Sequence, residues 1–322
     1  MKAAIVVEAG RTPVYGDFRE PVPADGEVPV TVSAAALSNV VRSRAAGTHY
    51  SSAGQLPFVA GVDGVGRLGD GRRVYFALPK APFGAMAEKV AVRPSQCVAV
   101  PDDLDDVTAA AIANPGMSSW AAIKERARLV AGETVLVNGA TGTAGRLAVQ
   151  IAKYMGAGKV VATGRNAVSL KAVEADVAIP LGDDGDAFED ALIQQFGGDG
   201  IDVVLDYLWG PSAERIIVAG AKAGKDAVPI RFIHIGAVSS GDITLPSAAL
   251  RSSAITLMGS GIGSIPLERM VSSIGEVMQA TVPGGFEIAT RSFPLSEVEQ
   301  VWGTADVVPR IVFQVTPGLS SV

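Results

Sequence analysis

The run VLVNGATGTAGRLAVQIAK, Val135 to Lys153, places Gly139, Gly142 and Gly145 between an apolar stretch and an apolar pattern with helical spacing. A backbone without side chains at such offsets can lie against something that a Cβ would keep away. Written against G-x-G-x-x-G, the positions fall on Ala140, Gly142 and Gly145, with Gly139 one place earlier. In a strand-to-helix turn, Gly142 would let the main chain approach a pyrophosphate, and Gly145 would let the helix lie on the sheet. The helix N-terminus would then supply N–H donors and a favourable dipole. This is the chemistry of dinucleotide binding. Glycines also mark ordinary tight turns, so the motif gains its meaning from the elements around it. No G-K-[ST] follows, which excludes a P-loop.

The next β-rich run, KVVATGRN, bears on which dinucleotide. NAD sites commonly end this strand in Asp or Glu, about 20 residues past the glycines, to hold ribose hydroxyls. Here the end offers Thr163, Gly164, Arg165 and Asn166, with no acid before Glu174. A carboxylate would repel a 2′-phosphate, whereas the planar fork of Arg165 pairs with one. The expected cofactor is NADPH.

Few other residues carry chemistry. Cys97 is the one cysteine, which rules out an intrachain disulfide and a multi-thiolate zinc cage. It has no charged helper nearby in sequence and reads as a packed strand residue. His234 lies in an apolar strand run and reads as a satisfied buried histidine, while His49 is expected to line or border a pocket. No metal site is expected.

The elements that must position these residues follow from the composition and its rhythm. The chain has 322 residues, 48% of them hydrophobic and 19% charged, enough for two domains with sizeable cores. Net charge is −6, from 27 basic and 33 acidic residues, and no Lys/Arg cluster stands out. Nucleic acid and anionic membranes therefore have no electrostatic footprint. The apolar run of MKAAIVVEAGR is too short for a signal-peptide core, and no stretch approaches the roughly 18 apolar residues of a membrane span. A reducing, cytoplasmic setting is expected.

Up to about residue 110 the texture is that of short strands: KAAIVV, EVPVTVSAAA, RRVYF and GAMAEKVAVR, interrupted by a helix predicted over 39–46. From about residue 117 strands and helices alternate. TVLVN precedes a helix over 144–155, KVVATG one over 167–174, DVAIP one over 187–196 and DVVLDY one over 212–219, and PIRFIHIG follows. Apolar strands without polar alternation argue for a parallel sheet covered on both faces. A last part reads as a helix over 267–280, a strand near 287–290, a helix and a closing strand, RIVFQV.

Taken together, NGATGTAGRLAVQIAK, PFVAGVDGVGRL at 57–68, GAMAEKVAV at 84–92, IANPGMSSWAAI at 112–123 and PRIVFQV resemble the zinc-independent quinone oxidoreductases of the medium-chain dehydrogenase/reductase superfamily, which are alcohol dehydrogenase-like. The resemblance covers nearly the whole chain. It implies an α/β protein with a GroES-like β-domain from both chain ends, 1–116 and 265–322, and an inserted Rossmann domain, 117–264, with a doubly wound parallel sheet. It further implies that backbone at Gly142, Thr143 and Ala144 holds the pyrophosphate. HIGAV, with Gly236, and LMGSG, with Gly259 and Ser260, would line the nicotinamide, LMGSG also pairing across a homodimer.

Zinc-dependent relatives carry Cys near the first helix and Gly-His-Glu after the Pro-rich strand, where this chain reads Ser38 and Gly61-Val62-Asp63. Without a metal, ketone reduction is disfavoured, because it builds an alkoxide whose conjugate acid is about as weak an acid as water. Hydride addition to a quinone or an α,β-unsaturated carbonyl leaves a phenolate or enolate, and a phenol titrates near 10. Such an anion needs only hydrogen-bond donors or water. The family pattern Leu-Asn-x-x-Asp, ending in Gly and a substrate-facing Tyr, is replaced by Leu37-Ser38-Asn39-Val40-Val41 and Gly47-Thr48-His49-Tyr50. Tyr50 is the expected donor, followed by Asn39 and Ser38, with Ser51 and Ser52 as substitutes.

The expected activity is thus NADPH-dependent, metal-free reduction of quinones or enones. One rival is an enoyl-thioester reductase, which would use the tyrosine as proton donor and need a basic entry for phosphates, with Arg42 and Arg44 the candidates. Another is a non-enzymatic NADPH-binding protein, a sensor or a structural, crystallin-like protein.

Overall fold

The computed structural model describes residues 1–52, 55–182, 185–304 and 309–315. Its backbone divides into two compact units, Met1–Asn114 together with the chain from Leu267 onward, and Pro115–Pro266. In chain order the first unit opens with β1 (Lys2–Val6), β2 (Val14–Asp17), β3 (Val28–Ala36), α1 (Asn39–Ala45), β4 (Phe58–Val59), β5 (Asp63–Leu68), β6 (Arg73–Ala77), β7 (Lys89–Val92) and β8 (Cys97–Ala99). The helix α2 (Asp106–Ala121) carries the chain into the second unit. There follow β9 (Thr134–Asn138), α3 (Thr143–Tyr154), β10 (Lys159–Gly164), α4 (Ala167–Lys171), β11 (Val177–Pro180), α5 (Gly185–Gly197), β12 (Val203–Asp206), α6 (Gly210–Ala223), β13 (Ile230–His234), α7 (Ser247–Arg251) and β14 (Ile255–Gly259). The first unit resumes with α8 (Leu267–Thr281), β15 (Thr290–Pro294), α9 (Val298–Val301) and β16 (Arg310–Gln314).

The second unit is a six-stranded parallel sheet in the order β11-β10-β9-β12-β13-β14. The middles of its central strands are apolar because both faces are covered there. On one face Leu136, Val161, Val204 and Phe232 join Leu192 and Phe196 of α5 and Ile216 and Ile217 of α6 in one core. Val135, Val137, Val160, Ala162, Val203 and Leu205 face the opposite way and are also fully buried. The strand order reverses between β9 and β12, so the chain leaves the carboxyl ends of these two strands in opposite directions. In sheets of this kind, ligands bind outside the carboxyl ends of the strands at such a switch point.

The first unit is predominantly antiparallel. Among its described residues one sheet runs β15-β16-β3-β5-β6-β8 with β7 also on β3, and a second runs β2-β1-β4. Val30, Val32, Phe76, Val90 and Phe313 fill the core, and Trp302 closes it. The last strand comes home to the third: β16 pairs with β3, Val312 opposite Ala36. The two ends of the chain therefore build one unit.

Two expectations differ in position, and one helix had none. The strand predicted near 287–290 is β15, which starts at Thr290 because its parallel partner begins at Arg310, the register mate of Thr290. FEIAT has β-propensity, but a strand needs a ladder, and the ladder starts later. The helix predicted over 167–174 ends at Lys171, capped by Ala172. The helix α2 was not anticipated, and it carries Pro115 in its interior. Asp105 caps it, accepting from Val107 and Thr108 N–H at 2.9 Å each, and an alanine-rich run carries it through the proline.

Candidate active site

The glycine turn sits where the sequence predicts, between β9 and α3, and its glycines differ in what they serve. Gly139 has φ +92°, in the left-handed region, and a Cβ there would meet Leu208 at 2.9 Å. At Gly145 a Cβ would come within 2.2 Å of the Gly139 carbonyl oxygen, so this glycine is required for helix α3 to lie on the turn. Gly142 is different. Its φ is −77°, open to any residue, and a Cβ there would meet only the Gly139 oxygen, at 3.8 Å. Nothing in the described protein calls for a glycine at 142. The space above it is what a pyrophosphate would fill, so the turn fits the dinucleotide it implies. Gly142 is also the N-cap of α3, with no side-chain cap and no acid in the first turn, leaving the positive end of the helix facing that space.

The other residues proposed for the nucleotide surround this turn. Ala140 is fully buried, and its N–H donates to the Thr163 carbonyl at 2.8 Å. Thr163 is fully buried as well, its hydroxyl donating to Asn138 Oδ1 at 2.6 Å and accepting from Gly139 N–H at 3.3 Å. It braces the turn from behind. Thr143 and Ala144 form the first helical turn. Arg165 stands exposed beyond β10, and among the described residues no carboxylate pairs with it. Asn166 caps α4, its Oδ1 accepting from Ser169 N–H at 2.9 Å. Sequence reasoning did not single out Arg146, whose guanidinium spans the Thr141 and Ser169 carbonyls at 3.2 and 3.4 Å and ties the glycine turn to α4.

At the far half of the edge the chain is knitted by main-chain bonds. Ile235 and Gly236 N–H both donate to the Asp206 carbonyl, at 2.8 and 3.2 Å, and Ser260 N–H donates to the His234 carbonyl at 2.8 Å. Gly259 is exposed and Ser260 is nearly buried. His234 departs from the buried state expected of it. Its side chain is 33% exposed, and Nδ1 lies 3.2 Å from Asp206 Oδ2.

In the first unit, Ser38 caps α1, accepting from Val41 N–H at 3.2 Å, and is buried. Asn39 is the exposed first residue of that helix. Tyr50 is 73% exposed and stacks on His49, with ring centroids 4.2 Å apart. His49 Nδ1 accepts from Ser51 N–H at 3.1 Å, which leaves any ring proton on Nε2. Burial, and then the nearby Arg44 charge, hold its pKa below the usual histidine value. The Ser52 hydroxyl is buried with no hydrogen-bond partner among the described residues. Cys97 is half-buried, its thiol pushed up to about 11 by burial.

The residues in the slots of a metal site do not suit a metal. Ser38 is engaged with its own helix and Val62 is apolar. Asp63 is fully enclosed and accepts from Tyr75 O–H at 2.7 Å. Burial raises its pKa, opposed by the Tyr75 hydrogen bond, the Arg310 charge and Asn114. Burial likewise raises the Tyr75 pKa, with Asp63 adding to the shift. Among the described residues no three His, Cys, Asp or Glu side chains converge.

Comparison with known proteins places this geometry among relatives. A family model described as zinc-binding dehydrogenase matches residues 144–279, a region without the metal slots at 38 and 61–63. The probable NADPH-dependent quinone reductase tdiC of Emericella nidulans is 28% identical, over 95% of this chain and 97% of its own length. A phenolphthiocerol/phthiocerol polyketide synthase chain of Mycobacterium tuberculosis is 32% identical over 72% of this chain and 11% of its own length. The quinone oxidoreductase of Thermus thermophilus, solved also in complex with NADPH, has a TM-score of 0.78 at 25% identity, covering 98% of this chain and 100% of that one.

Proposed function

The chain belongs to the quinone oxidoreductase family of the medium-chain dehydrogenase/reductase superfamily, and we propose that it uses NADPH to reduce quinones or α,β-unsaturated carbonyls without a metal. Gly142 carries the cofactor half of this reading: a glycine that no described residue requires, at the uncapped start of α3, beside a strand end with no acid and with Arg165, which has no ion-pair partner among the described residues.

When bound, NADPH supplies a hydride from nicotinamide C4. The chain's own part is to bind and orient. Main chain at Gly142, Thr143 and Ala144 holds the pyrophosphate, Arg165 pairs with the 2′-phosphate, and Asn166 borders it. Gly139, Ala140, Gly145 and Thr163 keep the turn in shape. Gly236, Gly259 and Ser260 line the nicotinamide end. The engaged donors in the metal slots support a metal-free reaction, which suits substrates whose product anion is a phenolate or enolate. Asn39 and Tyr50 have no hydrogen-bond partner among the described residues, so both are available to that anion. Ser38 is the weaker donor because it caps its helix. The enzyme acts in the cytoplasm as a homodimer, joined along β14, the edge strand of its sheet. No described helix is long and apolar enough to cross a membrane.

The test is oxidation of NADPH and NADH with 1,4-benzoquinone, a simple enone and a saturated ketone. The reading predicts turnover of the first two with NADPH and none of the ketone. Binding of NADPH without turnover would favour the non-enzymatic role.

The polyketide synthase match favours a second reading, reduction of an enoyl thioester. Arg42 is unavailable to it, donating to the Trp302 and Thr304 carbonyls at 2.6 and 3.0 Å. Arg44 lines a small cavity with Phe58, Val62 and Pro82 and has no partner among the described residues. If thioesters are the substrates, Arg44→Ala raises KM for a coenzyme A thioester and leaves the simple enone unchanged.

A further inference from the structure

The carboxyl-terminal rung of the parallel sheet is polar where the rung two residues earlier is apolar. Leu136, Val161, Val204 and Phe232 lie in the core beneath α5 and α6. The next residues on the same face are Asn138, Thr163, Asp206 and His234, and the strand register sets all four side by side. They form one hydrogen-bonded row across four strands. The Thr163 hydroxyl donates to Asn138 Oδ1 at 2.6 Å, Asn138 Nδ2 donates to Asp206 Oδ1 at 2.8 Å, and Asp206 Oδ2 lies 3.2 Å from His234 Nδ1.

Among the described residues, every polar side-chain atom of the first three has a partner. Thr163 also accepts from Gly139 N–H, and Asn138 Nδ2 also reaches Ser212 Oγ at 2.9 Å. Asp206 accepts in addition from Leu208 and Trp209 N–H, at 3.2 and 3.1 Å, and is fully buried. These bonds hold Trp209 at φ +58°, a strained conformation for a residue with a side chain, and its ring lies against His234 with centroids 4.2 Å apart. A carboxylate only accepts, so His234 Nδ1 carries a proton toward Asp206. In the neutral ring Nε2 is then an acceptor, and it has no partner among the described residues.

We propose that His234 is a positioning residue whose Nε2 accepts a hydrogen bond from the nicotinamide riboside end of the dinucleotide, its ring fixed by Asp206 and Trp209. The inference rests on the cofactor reading above. It follows from which half of the edge each residue occupies. The glycine turn and Arg165 belong to β9 and β10, so the remaining half, β12 to β14, faces the other end of the same ligand. That end offers donors, a carboxamide N–H and ribose hydroxyls, and among the described residues His234 is the one member of the row with a polar side-chain atom, Nε2, that has no partner.

The test compares NADPH with adenosine 2′,5′-bisphosphate, which keeps the 2′-phosphate and lacks the nicotinamide riboside. Dissociation constants of both are measured for the wild type, His234→Phe and His234→Gln. NADPH binding is expected to weaken about tenfold in His234→Phe, the loss of one hydrogen bond. It should recover in part in His234→Gln, whose amide oxygen can accept, while the bisphosphate binds all three proteins alike. Unchanged NADPH binding in His234→Phe overturns the proposal, as does equal weakening of both ligands, which would mark a merely structural role. A wild type that binds neither ligand overturns the cofactor reading itself, an outcome distinct from these.

Discussion

At the scale of single residues, the three glycines of one turn answer to three different demands. Gly145 is fixed by packing and Gly139 by backbone conformation, whereas nothing among the described residues requires a glycine at 142, the one the proposed function gives to the cofactor. The variants should separate accordingly. Gly145→Ala drives a Cβ into backbone and should cost about 1–3 kcal/mol or more of stability, read by denaturant unfolding. Gly142→Ala should cost about 1 kcal/mol or less, the usual penalty of alanine at an N-cap, yet weaken NADPH binding severely. Arg165→Ala removes a charge-assisted pair, and the preference for NADPH over NADH should fall about ten- to a hundredfold, read from kcat/KM with the two cofactors. The spacing made the glycines legible, but it could not tell which was structural. The role of His234 was hidden for a physical reason: its partner Asp206 lies on the neighbouring strand, joined through the register and not through the sequence.

At the scale of elements, the parallel sheet was the most legible part. TVLVN, KVVATG and DVVLDY have no polar alternation because each strand is covered on both faces, and the structure has them adjacent at the centre of one sheet. What escaped was set by partners. The start of β15 follows from the register with β16, and α2 runs through a proline that local rules would treat as a stop. The edge strand β14 carries a further consequence. Among the described residues no strand pairs with its outer side, and such an edge is a template for a second copy. A charge there opposes association, so Thr256→Lys, at an exposed position of β14, should shift a dimer toward monomer in sedimentation or light scattering. An unchanged mass would mean that any dimer forms elsewhere.

At the scale of the whole molecule, the chain closes one unit from both its ends and inserts the other, and the residues proposed for the chemistry divide in the same way. The inserted unit holds the glycine turn proposed for the cofactor, the polar row and the edge strand. The unit built from the termini holds Tyr50, Asn39, Ser38 and the slots where zinc relatives keep their ligands. Those slots are engaged internally: Asp63 by Tyr75, and Ser38 by its own helix. The central claim is therefore hydride transfer without a metal. It is tested most directly by reducing a simple enone with NADPH deuterated at C4, after exhaustive dialysis against a chelator. The account predicts an unchanged rate and deuterium at the β-carbon of the saturated product. Loss of turnover on chelation, or a product without deuterium at that carbon, would contradict it.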